Sequence, residues 1–344
     1  MIDTNLLLQM GLAAAIAGLI AAATTPAVKK LAHRFGVIRE VRGRDSHDRP
    51  IPLWGGISMV VGFLITVLLA SLLIRLLHGH DLTVAVGKGQ HPILGIVLGA
   101  LLVAAVGLLD DKGDMKPWQQ TLSLLLGGLI AALLGARIGG ITNPFAPSGA
   151  GHDYTFHNYI ELPKTLSVFV TMVWIFLVAK TFDFMDGLDG LAAGVCAIAA
   201  TTMGLMAAAH NDIAVALMAS ALGGSCIGFL RHNYNPASIF MGTVGSQFLG
   251  FILASLAVVG AFKIPATISI VIPLLVLGVP VFDGLYVVGR RLARRQKATV
   301  ADRTHIHHRL RDRGLSVKQA VWAIYGLTAT CCVVALVLAL MWAR

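Results

Sequence analysis

Apolar residues in this chain come in long unbroken runs, not at the spacing of a surface helix or in the alternation of a half-buried strand. Ten such runs can be bounded, at about 5–25, 56–77, 92–109, 120–136, 166–182, 191–209, 213–230, 247–262, 266–288 and 319–342. About twenty apolar residues in helical form cross a hydrocarbon core of about 30 Å. The pattern therefore predicts an all-α, polytopic integral membrane protein of about ten transmembrane helices. Residues 1–344 read as a single transmembrane domain, because the runs leave no room for a soluble one.

Composition agrees, with 56% hydrophobic and 13% charged residues and a mean hydropathy of +0.79. The net charge of +10 would suit nucleic acid in a soluble protein, but in a membrane protein lysine and arginine report orientation. With the N-terminus outside, the inner connections are 27–52, 110–118, 183–190, 231–246 and 289–318. They hold 20 of the 27 Lys+Arg, against five in the outer segments. Both termini are therefore expected on the extracytoplasmic side, the five connections on the cytoplasmic side, and no nucleic-acid partner. The outer segment 137–165, rich in Gly, Pro, Asn and aromatic residues, predicts a structured loop or short hairpin. Cys196, Cys226, Cys331 and Cys332 lie inside apolar runs and read as packing residues, neither disulfides nor a zinc cluster.

Twelve of the 17 acidic residues also gather at the cytoplasmic connections or nearby helix ends, which the orientation rule does not require. Asp110 and Asp111 end the third run, where the negative end of a helix disfavours them. Either they are exposed and neutralised by Lys112 and Lys116, or they form a reactive pair beside a cation. In Lys180-Thr181-Phe182-Asp183-Phe184-Met185-Asp186-Gly187-Leu188-Asp189-Gly190, three carboxylates three residues apart share one helical face. Capping of the sixth helix accounts for one of them, not three. Gly242, Thr243, Gly245 and Ser246 open a helix whose free N–H groups suit a phosphate, or they serve plain packing. Asp283 is an intramembrane carboxylate and so a functional candidate, with a snorkelling Arg290 or Arg291 as the plain alternative. The basic connection carrying His305, His307, His308 and Arg309 suits a diphosphate, or an anionic-lipid surface.

In order along the chain, five stretches resemble the polyprenyl-phosphate N-acetylhexosamine-1-phosphate transferases of glycosyltransferase family 4. They are His47-Asp48-Arg49-Pro50-Ile51-Pro52-Leu53-Trp54-Gly55-Gly56; Gly107 to Asp114; Asp183 to Leu191; Asn233 to Ser246; and His305-Ile306-His307-His308-Arg309-Leu310. The last is similar to the WecA/TagO-like branch that uses UDP-N-acetylglucosamine. The MraY-like branch, which transfers phospho-MurNAc-pentapeptide and is the alternative reading, usually shows consecutive histidines followed by an acidic residue. A secondary transporter is the other class to weigh. It would place its site near the bilayer midplane between related halves, and no halves repeat here.

The resemblance implies transfer of GlcNAc-1-phosphate from a UDP-sugar to undecaprenyl phosphate with release of UMP, the first membrane step of an envelope polysaccharide. It implies a multi-pass protein of the bacterial inner membrane with a cytoplasmic active site, surrounded by membrane lipids, with a homodimer as a possible assembly. Mg²⁺, or Mn²⁺, would be the cofactor. By motif position Asp110, Asp111 and Asp186 would be catalytic. His47 and Arg49 would border the nucleotide, while Asp189, Asn233 and Phe240 would hold the uridine. His305, His307, His308 and Arg309 would face sugar and diphosphate. Two departures stand out. Lys180 and Asp183 replace an Asn-x-x-Asn pair, and Thr243 replaces an Asp, so the metal carboxylate is expected to have moved to Asp183, with Thr243 as a neutral partner. Gln119 and Gln120 stand where a basic residue often follows the Asp-Asp pair.

Overall fold

The computed structural model describes residues 3–40, 49–78, 90–113, 115–142, 159–260, 272–293 and 305–342. Its helices are α1 (Thr4–Arg34), α2 (Gly56–His78), α3 (Pro92–Gly113), α4 (Pro117–Leu133), α5 (Lys164–Met185) and α6 (Leu191–Ala209). There follow α7 (Ile213–Asn233), α8 (Gly242–Gly260), α9 (Gly278–Ala293), α10 (Ile306–Asp312) and α11 (Val317–Trp342). A helix satisfies its backbone groups internally, which is what a chain segment in hydrocarbon requires. The protein is an all-α polytopic membrane protein.

Among the described residues eight helices are long and apolar enough to cross a bilayer, where the sequence predicts ten. The fourth run forms α4, whose 17 residues reach about 25 Å at 1.5 Å per residue. The ninth run is described only from residue 272, and α9 carries Asp283, Arg290 and Arg291, so it is amphipathic instead of uniformly apolar. Several helices also outrun their apolar stretches. α3 takes in Asp110 and Asp111, α5 takes in Lys180 and Asp183, and α8 begins at Gly242. Hydropathy marks only the part of a helix that lies in hydrocarbon, whereas backbone hydrogen bonding continues beyond it.

The most enclosed helices are α8 and α6, with 89% and 83% of their apolar stretches buried, against 28% for α1 and for α11. Phe63 of α2 meets Phe248 of α8 edge-on, centroids 5.5 Å apart, within a core that includes Phe182, Phe229 and Phe251. Two small antiparallel ribbons lie outside the bundle: β1 (Ile38–Arg39) with β2 (Ile51–Pro52), and β3 (Gly140–Thr142) with β4 (Tyr159–Glu161). The second is the hairpin predicted within 137–165; its tip falls outside the described residues. The four cysteines are free, and Cys196, Cys226 and Cys332 are buried.

Residues 52–56 are clamped to the start of α8. Phe240 N–H donates to Pro52 O at 2.9 Å, Gly55 N–H to Phe240 O at 2.8 Å and Gly56 N–H to Met241 O at 2.9 Å. Trp54, at φ +76°, turns the chain into α2, and its indole N–H donates to Leu108 O at 3.3 Å. A Cβ on Gly56 would collide with the backbone of Gly245, so this crossing needs glycine. The Trp-Gly-Gly motif thus ties together the ends of α2, α3 and α8.

Candidate active site

The polar segments predicted as functional converge at this same end of the bundle. Asp110 is buried, at 8% exposure, and its Oδ1 accepts from Met115 N–H at 3.0 Å and from Gln120 Nε2 at 2.7 Å. Asp111 accepts from Thr243 N–H at 2.7 Å and Val244 N–H at 3.3 Å. These are unpaired donors of the first turn of α8, at its positive end. The compensation that the adjacent carboxylates demand thus comes, for Asp111, from a helix N-terminus instead of a cationic side chain. Gly242 makes this possible. It has φ +69°, and a Cβ there would collide with the Asp111 carboxylate.

Asp183 faces α8 one turn further in. Its Oδ1 accepts from Ser246 Oγ at 2.7 Å, and its Oδ2 from Lys180 Nζ at 2.7 Å and Gln247 Nε2 at 3.3 Å. Lys180 Nζ also donates to Gln120 Oε1 at 2.5 Å. Asp186 ends α5 and is half-buried. Loss of water raises its carboxyl pKa from 3.8 to about 7, aided by the Asp183 charge and opposed by Arg39.

Asp189 and Asn233, expected beside the uridine, also tie neighbouring loops together. Asp189 Oδ2 accepts from Asn235 Nδ2 and Ala237 N–H, both at 2.9 Å. Asn233 accepts from Gly190 N–H and donates to Ile239 O, both at 3.0 Å. Each end of the Asn233 amide thus has one backbone partner, which links the Gly190 turn to the segment before α8. Tyr325 of α11 completes the brace by donating from its hydroxyl to Gly190 O at 2.5 Å. Phe240 is half-buried, with the Arg39 guanidinium 6.0 Å from its ring centroid.

Asp283 anchors the histidine segment. Its Oδ2 accepts from His305 Nδ1 at 2.7 Å and its Oδ1 from Ile306 N–H at 2.7 Å. The rings of His305 and His307 stack at 5.6 Å, and His308 lies 4.3 Å from His307. His307 is 1% exposed. Burial, then the neighbouring His308 and His305, pushes its pKa down to about 3. A Cβ on Gly187 would lie 2.5 Å from His307 Nε2, so the Asp-Gly-Leu-Asp-Gly turn and α10 touch directly. Arg309 is exposed, 5.6 Å over the Tyr286 ring. Arg49 is exposed too, and His47 lies outside the described residues.

Mg²⁺ is the cofactor that the sequence resemblance implies, with Asp183 and Thr243 as ligands. The residues present do not fit it well. Asp183 is already neutralised by an ammonium, and both the backbone and the side chain of Thr243 are bonded to Asp111. Mg²⁺ asks for open carboxylate oxygens in near-octahedral order, and both oxygens of Asp183 already accept hydrogen bonds, Oδ1 from Ser246 and Oδ2 from Lys180 and Gln247. Residues of the site to which the sequence assigns no role are Gln247, Arg39 and Tyr325. Only Gln247 carries a signal, as a polar residue one turn beyond Thr243 in a largely apolar helix.

The sequence that builds this site is similar to that of known proteins. Residues 93–261, which run from α3 through α8, match the model of glycosyl transferase family 4. A protein of Bacillus subtilis named probable undecaprenyl-phosphate N-acetylglucosaminyl 1-phosphate transferase is 31% identical over 301 residues, 88% of this chain and 77% of its own. The decaprenyl-phosphate N-acetylglucosaminephosphotransferase of Mycolicibacterium smegmatis is 29% identical over 336 residues, 92% of this chain and 79% of its own. A phospho-N-acetylmuramoyl-pentapeptide-transferase of Corynebacterium aurimucosum is 30% identical over 314 residues, 78% of this chain and 83% of its own. The chain belongs to glycosyl transferase family 4.

Proposed function

We propose that this protein transfers N-acetylglucosamine-1-phosphate from UDP-N-acetylglucosamine to undecaprenyl phosphate and releases UMP, at the cytoplasmic face of the bacterial inner membrane. One observation carries the reading. Asp110 and Asp111, Asp183, Asp186 and the histidine segment, far apart in sequence, meet at a single end of the helix bundle. The relatives' names support the substrate classes, and the excess of Lys and Arg in the inner connections supports the orientation.

Phosphoryl transfer needs chiefly positioning and charge neutralisation. An acceptor phosphate oxygen forms a bond to the sugar-bearing phosphorus of the donor, the bridging P–O bond breaks, and UMP leaves with the electron pair. Asp186, whose pKa lies near 7, takes the proton from the acceptor phosphate. His307, buried and kept neutral at physiological pH by a pKa of about 3, backs His308 and Arg309, which face the diphosphate. Phe240 stacks on the base beside Arg39. Asp110 and Asp111 fix the end of α3 and the first turn of α8, between which the phosphates sit.

The test is purified protein with undecaprenyl phosphate and a panel of UDP-sugars, scored for UMP release with and without a divalent cation. Turnover with UDP-N-acetylglucosamine is expected. Turnover only with UDP-MurNAc-pentapeptide would favour the second reading, which the Corynebacterium relative supports. No UMP release from any donor would overturn both. Substrate uptake into proteoliposomes without UMP release would indicate a transporter.

A further inference from the structure

Lys180 is a cation in an unusual place. It lies in α5 with its side chain 16% exposed, and its ammonium is fixed between Asp183 Oδ2 at 2.7 Å and Gln120 Oε1 at 2.5 Å. Gln120 in turn donates to Asp110 Oδ1 at 2.7 Å. Polar contacts therefore run from the Asp110–Asp111 pair through Gln120 and Lys180 to Asp183 and on to Ser246 and Gln247 of α8. The ammonium sits in the middle.

Packing does not explain it. A largely buried ion pair is weak support for stability, since apolar residues of similar volume often do as well or better. Asp183, moreover, does not depend on the lysine. With Lys180 withdrawn, Ser246 would still donate to Oδ1 and Gln247 to Oδ2. Nor are the lysine's donors exhausted, because an ammonium carries three N–H groups and Asp183 and Gln120 account for two. Asp183 thus parks an ammonium that can turn to a more highly charged anion arriving beside it.

We propose that Lys180 is the resident cation of the donor site, neutralising the diphosphate so that transfer proceeds without a protein-bound divalent metal. The proposal rests on the transferase reading above. In the reaction the acceptor oxygen–phosphorus bond forms and the bridging phosphorus–oxygen bond breaks. The charge that develops on the departing UMP phosphate is met by the Lys180 N–H groups. The carboxylate expected to hold a metal, Asp183, is bonded to this ammonium and to Ser246 and Gln247 instead.

The experiment compares wild type, Lys180→Asn, Lys180→Arg and the charge-balanced double variant Lys180→Asn/Asp183→Asn, each in excess EDTA and in Mg²⁺. UDP binding in EDTA is measured alongside by calorimetry. Wild type should keep at least about half of its Mg²⁺ rate in EDTA. Lys180→Asn and the double variant should lose about a hundredfold, the scale for removing one preorganised charge-stabilising donor, and should bind UDP about tenfold more weakly. Lys180→Arg should retain metal-free turnover. The double variant leaves no buried charge unpaired, so it keeps the test readable if the single variant does not fold. Wild-type turnover abolished by EDTA and restored by Mg²⁺ would overturn the Lys180 proposal while leaving the transferase reading intact. So would metal-free rates and UDP affinities in the lysine-less variants equal to wild type. No turnover of any donor under either condition would overturn both.

Discussion

Asp283→Ala should disable the histidine segment while leaving the bundle folded. The carboxylate accepts two hydrogen bonds at 2.7 Å, from the His305 ring and the Ile306 amide, in a setting where both side chains are under 10% exposed. Hydrogen bonds to a charged group contribute about 1.5–3 kcal/mol each. Losing both removes about 3–6 kcal/mol of local anchoring. α10 has only 7 residues, and helices shorter than about 12–15 residues are marginal on their own, so that anchoring decides whether it stays docked. Amide hydrogen exchange over residues 305–312 should speed up by at least about a hundredfold, which corresponds to roughly 3 kcal/mol, while α6 and α8 stay protected. UMP release should fall by a similar factor. Asp283→Asn separates anchoring from orientation. Its carbonyl can keep the Ile306 N–H, but its amide faces His305 Nδ1 as a donor and forces the other ring tautomer. Docking should then survive and turnover should still drop. The reasoning fails if Asp283→Ala leaves exchange in α10 unchanged and turnover within about threefold of wild type.

Asp111→Asn should nearly abolish UMP release yet leave the protein folded. The charge–dipole attraction to α8 that it removes, about 0.3–2 kcal/mol, is offset by relief of a buried charge beside Asp110; thermal unfolding and activity on one preparation check both. Tyr325→Phe removes the hydroxyl from Gly190 O and should cost about 1 kcal/mol in stability, with kcat falling more than KM rises; a normal kcat would mean that the brace does not shape the site. For Asp186 the folded pKa is raised to about 7 from 3.8, so the fold binds more protons than the unfolded chain between those values. Its contribution to stability is full below about pH 4 and lost as pH rises toward 7. The melting-temperature difference between Asp186→Asn and wild type should therefore widen in the variant's favour from pH 5 to pH 8, and a pH-independent difference would refute the assignment.

The membrane class and most helix positions are legible in the sequence, because hydropathy alone decides which segments enter hydrocarbon. Their polar ends are not, since a helix such as α3 continues past its last apolar residue for as long as its backbone bonds find partners. At the site, the spacing of Asp183, Asp186 and Asp189 reads directly as a cluster. What compensates Asp111 does not, because the donors are backbone N–H groups 132 residues away and every non-proline residue carries one. Asn233 is the reverse case, since its residue type suggests a polar contact while its two backbone partners, Gly190 and Ile239, are seen only in the fold. Asp283 was visible as a charge out of place, and only tertiary contact shows that His305 is its partner.

The pairing of Asp111 with the Thr243 amide also bears on how the protein is made. Those two residues are 132 positions apart, and at about 5–20 residues per second of synthesis the carboxylate waits roughly 7–26 s for its partner to emerge. During that interval α3 has left the ribosome with two adjacent carboxylates and no helix end to receive them, so its polar end must remain in water while the rest of the segment enters the membrane. The arrival of α8 then lets Asp111 dock and, through Gly55 and Gly56, draws α2 against the same helix. Nascent chains released before residue 242 should therefore be unfinished at the catalytic end, however well their helices insert, and are natural substrates for membrane quality control.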